Sequence, residues 1–133
     1  MPEFQIIGLK APAGFSINEH LKNNPANKRF VYRKEREVLN YIKSFYSKGI
    51  NPIYSQWYAG MTDGTHNRYN AHKRERRIDD LTNYKKFYLY TMSNARELES
   101  RLFQKHGMGK SNIKGGIYIH SKYVYVFFDP IAK

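Results

Sequence analysis

Cysteine is absent from the chain, so neither a disulfide framework nor a thiolate zinc site is open to it. That absence fits a reducing interior. No apolar run approaches the roughly 20 residues that cross a bilayer, and positions 1–10 lack the basic-then-apolar order of a secretion signal. We therefore expect a cytoplasmic protein of a bacterial or phage-infected cell, not secreted and not held in a membrane. Acids are also scarce: 11 Asp and Glu stand against 23 Lys and Arg, a net charge of +12 on 133 residues. For so small a body, a polyanionic partner is the simplest explanation of that charge. Ribosome-associated proteins, membrane-surface binders and the Lys- and Asn-rich products of AT-rich genomes share such a composition, so function has to come from particular residues.

What is present is enough for a modest single core, since 41% of residues are hydrophobic and 16% aromatic. Residues 1–28 read as a lead in which Phe4, Ile6 and Ile7 suggest a short strand, broken by Pro2, Pro12, Gly14 and Pro25. A helix is expected over 33–48, where Val38, Leu39, Ile42, Phe45 and Tyr46 recur at helical steps and Gly49 stands as a cap. Residues 53–62 alternate as a strand, with Trp57, Ala59 and Met61 on one side and Tyr58, Gly60 and Thr62 on the other. After the Asp63-Gly64 turn, a basic helix is expected over 65–80. A strand over 87–92 follows, then a helix over 95–106 capped by Ser93 or Asn94 and closed by Gly107. A last strand over 123–128 is stopped by Pro130. This order predicts a small α/β sandwich, a short central sheet covered by helices. Residues 1–50 would form an N-terminal extension whose helix packs on a core spanning 51–133.

Glu99 is the most informative position. Its neighbours at helical spacing are Ala95, Leu102 and Phe103, which puts a carboxylate at the edge of the core-facing stripe. There it must be paired, metal-bound or neutralised. A structural ion pair is one outcome; a metal ligand or a charge partner in a site is the other. Glu97 projects elsewhere and can pair with Arg101 on the surface. Tyr58 lies on the polar side of its strand beside Gly60, which leaves room for a ligand, although most of the 12 tyrosines must be ordinary sheet residues. Arg68 falls near the start of the next helix, where a phosphate is favoured. His72 shares its face, and Lys73, Arg74, Arg76 and Arg77 extend it as a possible phosphate track or a merely solvated face. The five histidines show no zinc spacing, and no phosphate-binding P-loop occurs.

Together these residues resemble the GIY-YIG nuclease superfamily. Tyr58-Ala59-Gly60 resembles its second signature, Arg68 stands ten positions after the tyrosine as the family's arginine does, and His72 matches a histidine of some members. Ala95-Arg96-Glu97-Leu98-Glu99-Ser100-Arg101-Leu102 is similar to the segment that carries the family's catalytic glutamate and selects Glu99, as the helical face does independently. Asn112 corresponds to an asparagine in the following loop.

The resemblance covers 53–112 and departs at one point. The family opens with Gly-Ile-Tyr on a strand just before the second signature, and nothing suitable stands there. Gly116-Ile117-Tyr118, Tyr32, and Val124-Tyr125 on the C-terminal strand are the candidates, the last as the missing edge of a permuted arrangement. The resemblance implies a mostly antiparallel sheet flanked by helices, and a metal-dependent endonuclease acting on DNA, most simply double-stranded. It implies that Glu99 holds Mg²⁺ or Mn²⁺ and Arg68 stabilises the phosphate, while Tyr58, with His72 or a tyrosine such as Tyr125, positions or deprotonates water. Gly60, Lys73, Arg74, Arg76, Arg77, Lys110, Asn112 and Lys114 would follow the nucleic-acid backbone. A non-catalytic nucleic-acid-binding module on the same scaffold and a basic interaction or inhibitor protein are the alternatives. The lead segment leaves room for a homodimer.

Overall fold

Asn27 starts the long first helix of the core. Its side chain accepts a hydrogen bond from the Phe30 N–H at 3.1 Å, and helix α2, Lys28–Lys43, follows. The computed structural model describes residues 17–109 and 120–130. Before α2 lies a short helix, α1, Ile17–Asn23. The expected helix over 33–48 therefore begins earlier and ends earlier. The asparagines and Pro25 that read as loop mark a helix boundary, and Ser44, whose hydroxyl donates to the Tyr41 carbonyl, closes α2 before Gly49 is reached. The strand expected around Phe4 to Ile7 lies outside the described residues.

Three strands form one antiparallel sheet: β1, Trp57–Thr62, β2, Thr82–Tyr88, and β3, Tyr123–Phe128. Their spatial order is β1-β3-β2, so the last strand in sequence lies in the middle. Helix α3, Asn67–Arg76, joins β1 to β2, and α4, Met92–His106, leads on from β2. Described residues thus give four helices and a three-stranded antiparallel sheet, the expected small sheet with helical cover. No helix among them is long and apolar enough to cross a membrane.

β2 starts at Thr82 and ends at Tyr88, earlier at both ends than the apolar run suggested. Leu89, Tyr90 and Met92 belong to a turn and to the start of α4, whereas the strand proper is mostly polar and carries a register irregularity between Thr82 and Lys85, with Asn83 at φ 57°. The cap of α4 is Thr91, whose hydroxyl accepts from the Asn94 N–H at 3.0 Å. Ser93 and Asn94 have other work. Ser93 donates to the Asn24 carbonyl, and Asn94 accepts from the Asn27 N–H at 2.8 Å while donating to the Leu89 carbonyl at 2.8 Å. Those bonds tie the start of α2 to the start of α4. Gly107, at φ 67°, closes α4 in the left-handed conformation that glycine adopts without penalty.

The sheet separates two cores. On one face Trp57, Ala59, Met61, Val124 and Val126 pack with Val31, Val38 and Ile42 of α2 and with Ala95, Leu98 and Leu102 of α4. Each fully buried Leu there contributes about 1.5–3 kcal/mol. On the other face Tyr125 and Phe127 pack with Leu81, Tyr58, Tyr69 and Tyr84. The alternation expected for 57–62 therefore holds. Its aromatic side supplies Tyr58 to the candidate site, beside Tyr125 of β3.

Candidate active site

Register determines what meets what. Gly60 pairs with Tyr125 and Tyr58 with Phe127 across the antiparallel β1–β3 ladder. A Cβ at position 60 would lie 2.5 Å from the Tyr125 hydroxyl oxygen. The room that Gly60 leaves is therefore filled by Tyr125, not left for a ligand, which corrects its expected place in the nucleic-acid surface. The rings of Tyr58 and Tyr125 stack at 6.1 Å with 19° between planes, and Tyr58 lies 5.2 Å from Phe127 in the same manner.

His72 comes down onto this pair from α3. It is 8% exposed, and its Nε2 lies 2.6 Å from the Tyr125 hydroxyl, while its ring meets Tyr58 edge-on at 4.6 Å. On its other side Arg76 Nη1 donates to His72 Nδ1 at 2.9 Å. A guanidinium cannot accept, so Nδ1 carries no proton, and the neutral ring bears its proton on Nε2, facing Tyr125. Burial first, then the charges of Arg76 and Arg68, lower the His72 pKa to about 4, against a weaker opposing pull from Asp129. The histidine is therefore neutral near pH 7.

Arg76 is itself held. Its Nε and Nη2 donate to Asp129 Oδ2 at 2.9 and 2.7 Å, and that carboxylate, just beyond β3, is 4% exposed. The resulting chain runs Asp129, Arg76, His72, Tyr125. This places Arg76 inside the molecule's polar network and removes it from the expected phosphate track. Breaking so well enclosed a pair costs about 3 kcal/mol. Sequence reading missed Asp129 altogether. Its partner is 53 positions away, and an aspartate after a strand carries no local sign of such a contact.

Arg68 lies in the first turn of α3, and Glu99 lies on α4 with 9% of its surface exposed. Both act on the phenols. Burial pushes Tyr58 upward, the Glu99 charge adds to the rise, and Arg76 and Arg68 oppose it. Tyr125 is raised further, first by burial and then by Tyr58, with Tyr84 and Glu99 adding and Arg68 opposing. Tyr58, Arg68, His72, Glu99 and Tyr125, expected from sequence as one set, are thus brought within electrostatic reach of one another. The loop after α4 helps fix this arrangement: the Gly109 N–H donates to the Trp57 carbonyl at 2.7 Å, against the backbone of Tyr58.

The remaining candidates separate. Arg74 of α3 and Arg77, which caps its C-terminus, are exposed, and the Lys73 ammonium lies 5.1 Å from the Tyr69 ring centre. Lys110, Asn112 and Lys114 fall outside the described residues, as does Tyr118. Tyr32 is half-exposed on α2, where Arg101 lies over its ring at 4.4 Å, so it belongs to another surface. Arg101 does not pair with Glu97 as expected. It donates to the buried Glu35 at 2.6 Å, which also meets His106 at 2.8 Å, and Glu97 instead faces Lys28 at 3.9 Å. Burial alone would raise Glu35, but the bonds and charges of Arg101 and His106 hold it below its ordinary value. The Glu35 cluster clamps α2 to α4 and so steadies the helix that carries Glu99.

Among the described residues no three His, Cys, Asp or Glu side chains gather as a metal cage. Glu99 would be the carboxylate of any ion bound beside the two phenols. One carboxylate with water completing the shell suits Mg²⁺ or Mn²⁺, which retain several waters. Compared with known proteins, the chain matches no family model, no curated protein and no solved structure.

Proposed function

We propose that the chain is a divalent-metal-dependent endonuclease of the GIY-YIG kind, with Tyr125 of β3 serving as the tyrosine of the missing first signature. The stacked pair of Tyr58 and Tyr125, with both phenols under the opposed charges of Glu99 and Arg68, carries this reading. In the family the first-signature strand precedes the second in a hairpin. Here β3 is the antiparallel neighbour of β1, as a hairpin partner would be, but reaches that place from the far end of the chain. It also lies at the centre of the sheet, so the role foreseen for it as a missing edge becomes that of a missing middle.

Glu99 would hold Mg²⁺ or Mn²⁺, which when bound supplies a Lewis acid for the phosphate and its leaving oxygen. Arg68 would bind the phosphate and offset the charge that develops on it. The His72 Nε2–H, directed at the Tyr125 oxygen, favours the phenolate form of that side chain. Only as a phenolate could either phenol take a proton from water, and the Arg68 charge, which opposes the burial and the Glu99 charge that raise both, favours that form. Asp129 and Arg76 keep His72 in the tautomer this requires. Exposed Arg74 and Arg77 would lie along a double-stranded DNA backbone.

The test is nicking of supercoiled plasmid DNA in Mg²⁺ or Mn²⁺, with a chelator as control. We expect activity in the wild type and at least a hundredfold loss in Arg68→Ala and in Glu99→Gln. Cleavage unchanged in both variants contradicts the proposal; salt-steep binding without any cleavage favours the non-catalytic module.

A further inference from the structure

Between β2 and α4 the chain makes a turn that residues with side chains avoid. The Thr91 N–H donates to the Leu89 carbonyl at 2.8 Å, which makes Tyr90 the centre of a three-residue γ-turn, and its φ is 71°. This positive-φ form is rare and strained for anything but glycine. The flanks hold it in place. Leu89 is fully buried, its N–H donates to the Lys122 carbonyl at 2.8 Å, and its own carbonyl also accepts from Asn94. Yet the Tyr90 ring is 59% exposed, so packing within the protein returns little for the strain.

The turn instead aligns Tyr90 with other rings. Tyr90 lies 4.4 Å from Tyr88, Tyr88 lies 4.9 Å from Tyr123, and Phe30 braces Tyr90 edge-on at 5.5 Å. Lys86 stands 5.2 Å over the Tyr123 ring and donates to the Gly64 carbonyl at 2.8 Å. Tyr123 is two residues from Tyr125 on β3 and so faces the same side of the sheet as the candidate active site. The exposed rings of Tyr88 and Tyr90, backed by the half-buried Tyr123 and a cation, on a chain of net charge +12, match what a base and its phosphate require.

We propose that Tyr88, Tyr90 and Tyr123, with Lys86, stack an unpaired base of the substrate, so that the preferred nucleic acid carries a single-stranded segment beside the bond to be cut. This rests on the nuclease reading and narrows its substrate class. The experiment measures binding of the full chain, in chelator and without cleavage, to fluorescent single-stranded oligothymidylate and to a blunt duplex. Tyr90→Gly removes the ring and relieves the turn, so the variant should melt no lower than wild type. It should bind the single strand roughly tenfold more weakly and the duplex almost unchanged, while Tyr90→Phe should bind both as wild type does. Unchanged single-strand affinity in Tyr90→Gly overturns the proposal, and so does equal weakening on both probes. If either result accompanies cleavage that depends on Arg68 and Glu99, this proposal alone falls. If wild type binds neither probe, the nuclease reading falls with it.

Discussion

The His72 Nε2 and the Tyr125 hydroxyl, 53 residues apart in sequence, lie 2.6 Å from each other beneath the ring of Tyr58. With Nδ1 occupied by Arg76, this contact directs a proton from the histidine toward the phenol. It joins α3 to the central strand and gives Tyr125 its donor.

A pH dependence follows. The folded His72 pKa of about 4 lies below the ordinary 6.5. Above pH 6.5 neither state takes up the proton, and the stability associated with the neutral ring is fully present. As pH falls from 6.5 toward 4 the unfolded chain binds a proton that the folded chain refuses, and about 2–3 kcal/mol is lost. Urea unfolding at pH 7 and pH 4.5 should show this loss in wild type and a markedly smaller one in His72→Gln. An NMR titration of His72 with a midpoint near 6.5 would refute it.

Arginines on α3 should divide by role. Arg76→Ala should lower stability by about 3 kcal/mol, since it strands Asp129 in a buried position. Arg74→Ala and Arg77→Ala should leave the unfolding midpoint unchanged and each reduce the salt slope of DNA binding by about one. Salt-dependent binding and urea denaturation on the three variants separate these effects. An Arg76→Ala protein as stable as wild type would mean that its contact with Asp129 is incidental.

Gly60→Ala adds one methyl group where the Tyr125 oxygen already sits. Tyr125 must move, at a cost of about 1–3 kcal/mol, and the His72 contact stretches or breaks. We expect a lower melting temperature together with loss of DNA cleavage. Full activity in the alanine variant would show that the position of Tyr125 does not matter.

Legibility in the sequence followed the range of the contacts. β3 was readable to the residue, because Tyr123–Phe128 is continuously apolar and ends at Pro130. Glu99 was separable from Glu97, because helical spacing is a local property. β2 was displaced because the apolar run that looked like a strand is divided among a strand end, a γ-turn and a helix start. The start of α2 was missed because Asn27 reads equally well as loop or as cap. Asp129 and the true role of Arg76 were invisible, since pairing across 53 positions leaves no periodic trace. That Tyr125, unlike Tyr32, lies beside Tyr58 became visible only with the strand order.

Cleavage of a labelled duplex in Mn²⁺ by Tyr125→Phe, set beside Tyr32→Phe, tests the central assignment most directly. The phenylalanine keeps the buried ring and removes only the hydroxyl that His72 meets. We expect Tyr125→Phe to fold and to cut at least a hundredfold more slowly, with Tyr32→Phe at the wild-type rate. A Tyr125→Phe protein that cuts as fast as wild type would contradict it.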